Sequence, residues 1–174
     1  SGGVQGAIAE TAESVFTDQL NQTQQELAQD VFLRLTELGE GTEDTRRRAA
    51  LSELARQSGE TPQLRGVLNT LAEARLITLN EDSAEVSHEA LIREWQRLRQ
   101  WLTQDREGLL LHRHLTESAH DWERRGHDPA DLYRGARLAQ EHEWADANEE
   151  RLNAVEQAFL AASIEQEQHE ILEH

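Results

Sequence analysis

Of the eight histidines in this chain, one stands where chemistry could gather. In Val86-Ser87-His88-Glu89-Ala90-Leu91-Ile92 an extended run turns straight into a helical one, which puts His88 at the junction. The first turn of a helix carries free N–H groups and a partial positive charge, a setting that suits an anion such as phosphate. An imidazole adds a donor when neutral and a charge when protonated. A histidine in that place can equally be a capping or core residue with no ligand, and spacing alone leaves both readings open.

Other chemistries are excluded residue by residue. His88-Glu89 begins like the zinc-protease HExxH, but Ile92 stands where the second ligand belongs. His112 and His114 are two apart and point to different sides of a helix. His120 could share the face of His112, but no third ligand accompanies them, so these read as solvated histidines. The chain has no cysteine, which removes disulfides, thiolate catalysis and zinc–thiolate sites. All seventeen basic residues are arginine. A phosphate loop GxxxxGK[ST] therefore cannot form, and no serine sits in a nucleophile-elbow pattern. The expectation is a chain with no catalytic residue, no metal ligand and no cofactor of its own, hence not an enzyme by itself.

A formal net charge of -17 repels nucleic acid and anionic lipid unless basic residues cluster. No apolar run approaches the length that spans a bilayer, and no secretory leader is visible. Together these predict a cytoplasmic protein with no membrane partner. The chain lacks methionine even at Ser1, and Leu172-Glu173-His174 reads as the stub of a tag, so a piece of something longer is expected.

Helical spacing runs through Ala7, Ile8, Thr11, Val15, Phe16 and Leu20, after a flexible Gly2-Gly3-Val4-Gln5-Gly6 opening. Thr23 with Glu26 predicts a capping box, and Leu27, Val31, Phe32 and Leu35 a buried stripe, broken at Gly39 and Gly41. Thr45 to Leu51 reads as a short extended piece. Ser52 caps a short helix, and Thr61-Pro62 starts another with Leu64, Val67, Leu68 and Leu71 inside. Leu76–Leu79 and Ala84–Ser87 predict a hairpin. Leu91, Trp95, Leu98 and Leu102 then place one apolar face on a single following helix. Further helices cover Asp105 to Arg125, a stretch opening at Asp128-Pro129, and one capped by Asn153 with Glu156. Beyond Glu165 the chain turns polar and is expected to fray or to continue as a coiled segment. Trp95, Trp101, Trp122 and Trp144 read as packing anchors.

The fold class this implies is mainly α: a winged helix with a small β-hairpin, followed by a helical bundle. The expected parts are a helical segment over 1–22, a winged-helix domain over 23–103, a helical bundle or spacer over 104–165, and a polar tail over 166–174. A winged helix raises DNA binding. However, residues 23–88 hold seven arginines against twelve acidic residues, and the candidate reading helix offers only Arg65 and Arg75. The run Arg46-Arg47-Arg48 reads as a solvated or carboxylate-paired strand. A DNA-binding regulator and a helical protein–protein scaffold stand as the alternatives to a regulatory module.

Four separated motifs carry a resemblance: Gly-Gly-Val-Gln-Gly-Ala at 2–7, Leu-Gly-Glu-Gly-Thr-Glu-Asp-Thr-Arg-Arg-Arg at 38–48, Val-Ser-His-Glu-Ala-Leu-Ile-Arg-Glu-Trp at 86–95, and Leu-Tyr-Arg-Gly-Ala-Arg-Leu-Ala at 132–139. Together they resemble the STAND-type signalling ATPases, in particular the bacterial novel STAND group, often joined to WD repeats. The resemblance implies an upstream ATPase core, a winged helix that folds back on bound ADP, and downstream sensor repeats. ADP or ATP would belong to that larger protein, which would oligomerise on activation. Its winged helix ends in a Met-His-Asp type motif whose histidine approaches the ADP β-phosphate. Ser87, His88 and Glu89 occupy that position, with serine for methionine and glutamate for aspartate. By the same resemblance Gly2, Gly3 and Gly6 form a loop near the nucleotide base, where related chains carry a proline and this one has Gln5.

Overall fold

A computed structural model of the chain describes residues 3–57 and 59–173. They fall into two compact units, Ser1–Ala55 with Glu60–Arg106, and Arg56–Gly59 with Glu107–His174. The architecture is mainly α with two small antiparallel sheets.

The first unit opens with α1 (Gly3–Ser14), which runs on as a π-helical turn over Val15–Gln19. The expected flexible opening is thus helical from Gly3 onward. Next comes α2 (Gln22–Arg34), whose capping box is not Thr23 with Glu26 but Asn21 with Gln24. The Asn21 side chain accepts the Gln24 N–H at 2.9 Å, and Gln24 accepts the Asn21 N–H at 2.8 Å. Asn21 is the first residue after Leu20 turns extended, so it caps, and Thr23 already lies inside the first turn.

Strands β1 (Thr36–Glu37) and β2 (Thr45–Arg46) pair antiparallel, Thr36 facing Arg46. After β3 (Ala49–Ala50), α3 (Leu51–Leu54) begins on an uncapped Ala50, with Ser52 inside the helix rather than capping it. Then α4 (Pro62–Glu73) starts as its sequence predicts: Thr61 accepts the Leu64 N–H at 3.1 Å and Pro62 takes the first helical position. Its periodic Leu64, Val67, Leu68 and Leu71 are all buried. Strands β4 (Ile77–Leu79) and β5 (Ser83–Val86) form the hairpin, and β3 joins β5 on its other side.

The helix expected through Leu102 is two helices, α5 (Glu89–Glu94) and α6 (Gln96–Gln104), broken at Trp95 with ψ 106°. Tertiary contacts account for the break. The Trp95 indole N–H donates to Glu13 Oε1 at 2.9 Å, and its ring lies edge-on to Phe16, Phe32 and Trp101. Arg97 grips the same carboxylate with Nε at 3.0 Å and Nη2 at 2.6 Å. The Arg97 hydrogen bond, helped by the Trp95 N–H and opposed by partial burial, holds the Glu13 carboxyl below its ordinary range. One acid on α1 therefore fastens both sides of the break.

The second unit holds α7 (Arg106–Arg124), a 3-10 turn at Pro129–Asp131, α8 (Gly135–Ala147), a 3-10 turn at Glu149–Arg151, and α9 (Ala154–Leu172). Asp128-Pro129 opens the short turn, where Asp128 accepts the Ala130 N–H, and α8 starts only at Gly135. The Asn153–Glu156 capping box is present as read. The expected fraying beyond Glu165 is absent, since α9 continues to Leu172. Trp122 and Tyr133 each meet Phe159 edge-on in the core, with ring centroids 5.7 and 4.9 Å from it.

A buried polar cluster lies inside this unit, and it corrects the expectation of a solvated His112. Leu109, His112, Leu115, Thr116 and Ala119 share the inward face of α7, so His112 is buried with its neighbours. Its Nε2 lies 3.3 Å from Glu156 Oε1, and the Thr116 hydroxyl donates to Glu156 Oε2 at 2.6 Å. Glu141 of α8 is 1% exposed, and its Oε2 has no hydrogen-bond partner among the described residues. Burial, with the nearby Glu156 charge adding to it and Arg137 opposing it, pushes the Glu141 carboxyl up to about 7.

Candidate functional site

The site is the junction between β5 and α5, in the first unit. Alternation along β5 buries Ala84 and Val86 and leaves Ser83 and Glu85 at the edge. The next residue, Ser87, still belongs to the hairpin: its N–H donates to the Leu76 carbonyl at 3.0 Å, and its hydroxyl shares a 3.0 Å bond with Thr78 Oγ1. Ser87 is thus engaged across the hairpin. His88 follows as the N-cap of α5 with extended backbone, φ −138° and ψ 130°, and its carbonyl accepts the Leu91 N–H. Its side chain makes no capping bond and is exposed. The capping and core roles left open above are therefore both absent at this imidazole. Glu89 is half-buried in the first turn of α5, where a negative charge suits the helix end.

A residue the sequence left in a generic basic run arrives at the same place. Arg46 ends β2, and its Nη1 lies 3.5 Å from the Val86 carbonyl and 3.4 Å from that of Ser87, the oxygen of the peptide bond leading into His88. These are long contacts that orient the guanidinium without neutralising it. Its neighbours are committed elsewhere. Arg47 is bidentate on Glu53 at 2.7 and 2.9 Å, and Arg48 lies 3.6 Å from Glu85. The one signal that could have found Arg46 was its alternation with Thr45 on a strand, but nothing local says which carbonyls it meets.

The loop before β2 explains how Arg46 is delivered. Asp44 accepts the Gly39 N–H at 2.7 Å and a two-point grip from Arg106, whose Nη2 also reaches the Gly39 carbonyl. Burial would raise the Asp44 carboxyl, but the Arg106 and Gly39 hydrogen bonds and the arginine charges outweigh it and hold it below its ordinary range. A Cβ on Gly39 would fall 2.2 Å from the Thr42 carbonyl oxygen, so the loop closes only over glycine. The motif at 38–48 is thus a tied hairpin that aims β2 at the junction.

Of the glycines, Gly2 lies outside the described residues. Gly3 and Gly6 lie in α1, a helix rather than a loop, and α1 packs against α5. A groove of about 360 Å³ runs beside the Glu13 clamp, lined by Glu10, Glu13, Glu94, Trp95 and Arg97 among others. Ser87, His88 and Glu89 are not among its walls; His88 faces open surface. Among the described residues no cluster of histidine and acid could hold a metal ion, and no helix is long and apolar enough to cross a membrane.

No curated protein and no solved structure matches the chain. The sequence model of one family does, over residues 1–130, and that family is described as Novel STAND NTPase 1. That match takes in both the tied hairpin at 38–48 and the His88 junction, and it covers most of the chain: the protein belongs to the Novel STAND NTPase 1 family.

Proposed function

We propose that this chain is a non-catalytic regulatory module of a STAND ATPase, reporting nucleotide state from an ATPase core earlier in the same protein to sensor or effector domains beyond it. In this reading the stretch from α2 to α6 is a winged helix, and the second unit is a spacer. The order helix, strand, helix, helix, hairpin supports that reading, as does the three-stranded sheet β3-β5-β4. The observation that carries it is the exposed, uncapped imidazole of His88 at a junction tied to the hairpin through Ser87 and to α5 through the His88 carbonyl. Its nucleotide pocket is completed by the neighbouring core, with ADP as the ligand that favours the closed form.

A contact made to ADP in the closed form and lost in the open one biases the equilibrium by its differential free energy. A hydrogen bond to a charged group contributes about 1.5–3 kcal/mol. In the protein carrying the ATPase core, His88→Ala is therefore expected to speed ADP release roughly ten- to hundredfold and to raise basal signalling. Release of a fluorescent ADP analogue, chased with unlabelled ADP, checks this; unchanged release would sink the sensor role.

Duplex DNA binding has less support. On α4, the candidate reading helix, Arg65 is paired with Glu60 at 2.5 Å. Salt-sensitive duplex binding near micromolar in a gel shift would reverse that preference.

A further inference from the structure

We infer that Arg46 is a second phosphate contact at the junction, a permanent cation working with the imidazole of His88. The inference rests on the reading of His88 as a nucleotide contact and adds a guanidinium to it. Three observations carry it. The guanidinium is exposed and is held by Nη1 alone, at the carbonyls of Val86 and Ser87. That leaves Nη2 and Nε to donate, and a fork of N–H groups matches phosphate oxygens. Around it, acids are matched to other arginines: Glu53 to Arg47, Glu85 to Arg48, and Glu43 to Arg93 at 3.4 Å. Within a chain of formal charge -17, this exposed arginine has no carboxylate in ion-pair range among the described residues, and it touches the carbonyl of the peptide bond that leads into His88. Finally, the Asp44–Arg106–Gly39 ties hold the loop that leads into the strand presenting it.

An arginine touching two backbone carbonyls could instead serve only to brace the junction, and the two roles make different predictions. A phosphate contact acts on the terminal phosphate itself and persists without the imidazole. A brace acts only through His88. In the protein carrying the ATPase core, Arg46→Gln removes the charge while leaving a donor for the carbonyls, and Arg46→Lys keeps the charge. Expected are ADP release about tenfold faster in Arg46→Gln, near-native release in Arg46→Lys, and a comparable acceleration when Arg46→Gln is added to His88→Ala. The affinity for AMP, which lacks the terminal phosphate, stays unchanged. If Arg46→Gln adds nothing in the His88→Ala background, or shifts AMP and ADP alike, Arg46 is a brace and the inference is overturned. If His88→Ala alone leaves release unchanged while Arg46→Gln accelerates it, the imidazole reading fails and the arginine contact stands.

Discussion

Trp95→Ala is expected to remove about 3–5 kcal/mol from the stability of the first unit. Trp95 is 2% exposed and meets Phe32 at 5.1 Å, Trp101 at 5.4 Å and Phe16 at 6.0 Å between ring centroids. Deleting it opens a cavity among three aromatic rings and also strips the indole N–H from Glu13. Domains of this size have total stabilities of about 5–15 kcal/mol, so the loss is a large share. Trp95→Phe separates the two contributions: it keeps much of the ring packing and loses the hydrogen bond, worth about 1.5–3 kcal/mol for a charged acceptor. Urea unfolding of the three proteins measures both steps. If α5 and α6 were one helix merely resting on the core, the alanine variant would instead cost little and the phenylalanine variant nothing.

The second large effect has the opposite sign. Glu141→Gln is expected to stabilise the second unit at neutral pH by roughly 2–3 kcal/mol. The native carboxyl titrates near 7, against an ordinary value of 4.5. Below about pH 4.5 both folded and unfolded chains hold this proton, and the group exerts no penalty. As pH rises towards about 7 the unfolded chain releases the proton while the folded one keeps it, so stability falls; above about 7 the penalty is constant. The groups facing Glu141 are Arg137 on its own helix, Glu156 from α9 and the Tyr133 phenol. Only Arg137 favours the charge, and burial outweighs it. The gap between variant and wild type should therefore open between about pH 4.5 and 7 and then stay level. Unfolding at pH 4, 5, 6, 7 and 8, followed by the fluorescence of Trp122 and Trp144, tests the sign as well as the size.

Much of this was readable wherever the information is local. Thr61-Pro62 and Asn153 with Glu156 are caps because their side chains meet backbone groups three residues away, and both formed as read. The hairpin was visible as two short apolar runs about a polar turn. What escaped is set by partners far along the chain. The apolar stripe Leu91–Leu102 has correct helical spacing, yet the helix breaks because Glu13, eighty-two residues before Trp95, claims the indole. Spacing makes His112 a solvated residue because its partner, Glu156, lies forty-four residues on, where its own local pattern is that of a cap. Glu156 does both: it closes the capping box with Asn153 and accepts from Thr116. At the junction, His88 was found from type and position. Arg46 was not, since three consecutive arginines give no hint which one crosses forty residues to reach Val86.

The shared grip of Glu13 has a mechanical consequence. Trp95 at the break and Arg97 just after it hang on one carboxylate of the entry helix, so α1 and the start of α6 share a single anchor point. Between that anchor point and His88 lies only α5, six residues and about 9 Å of rise, too short a rod to absorb a twist by flexing.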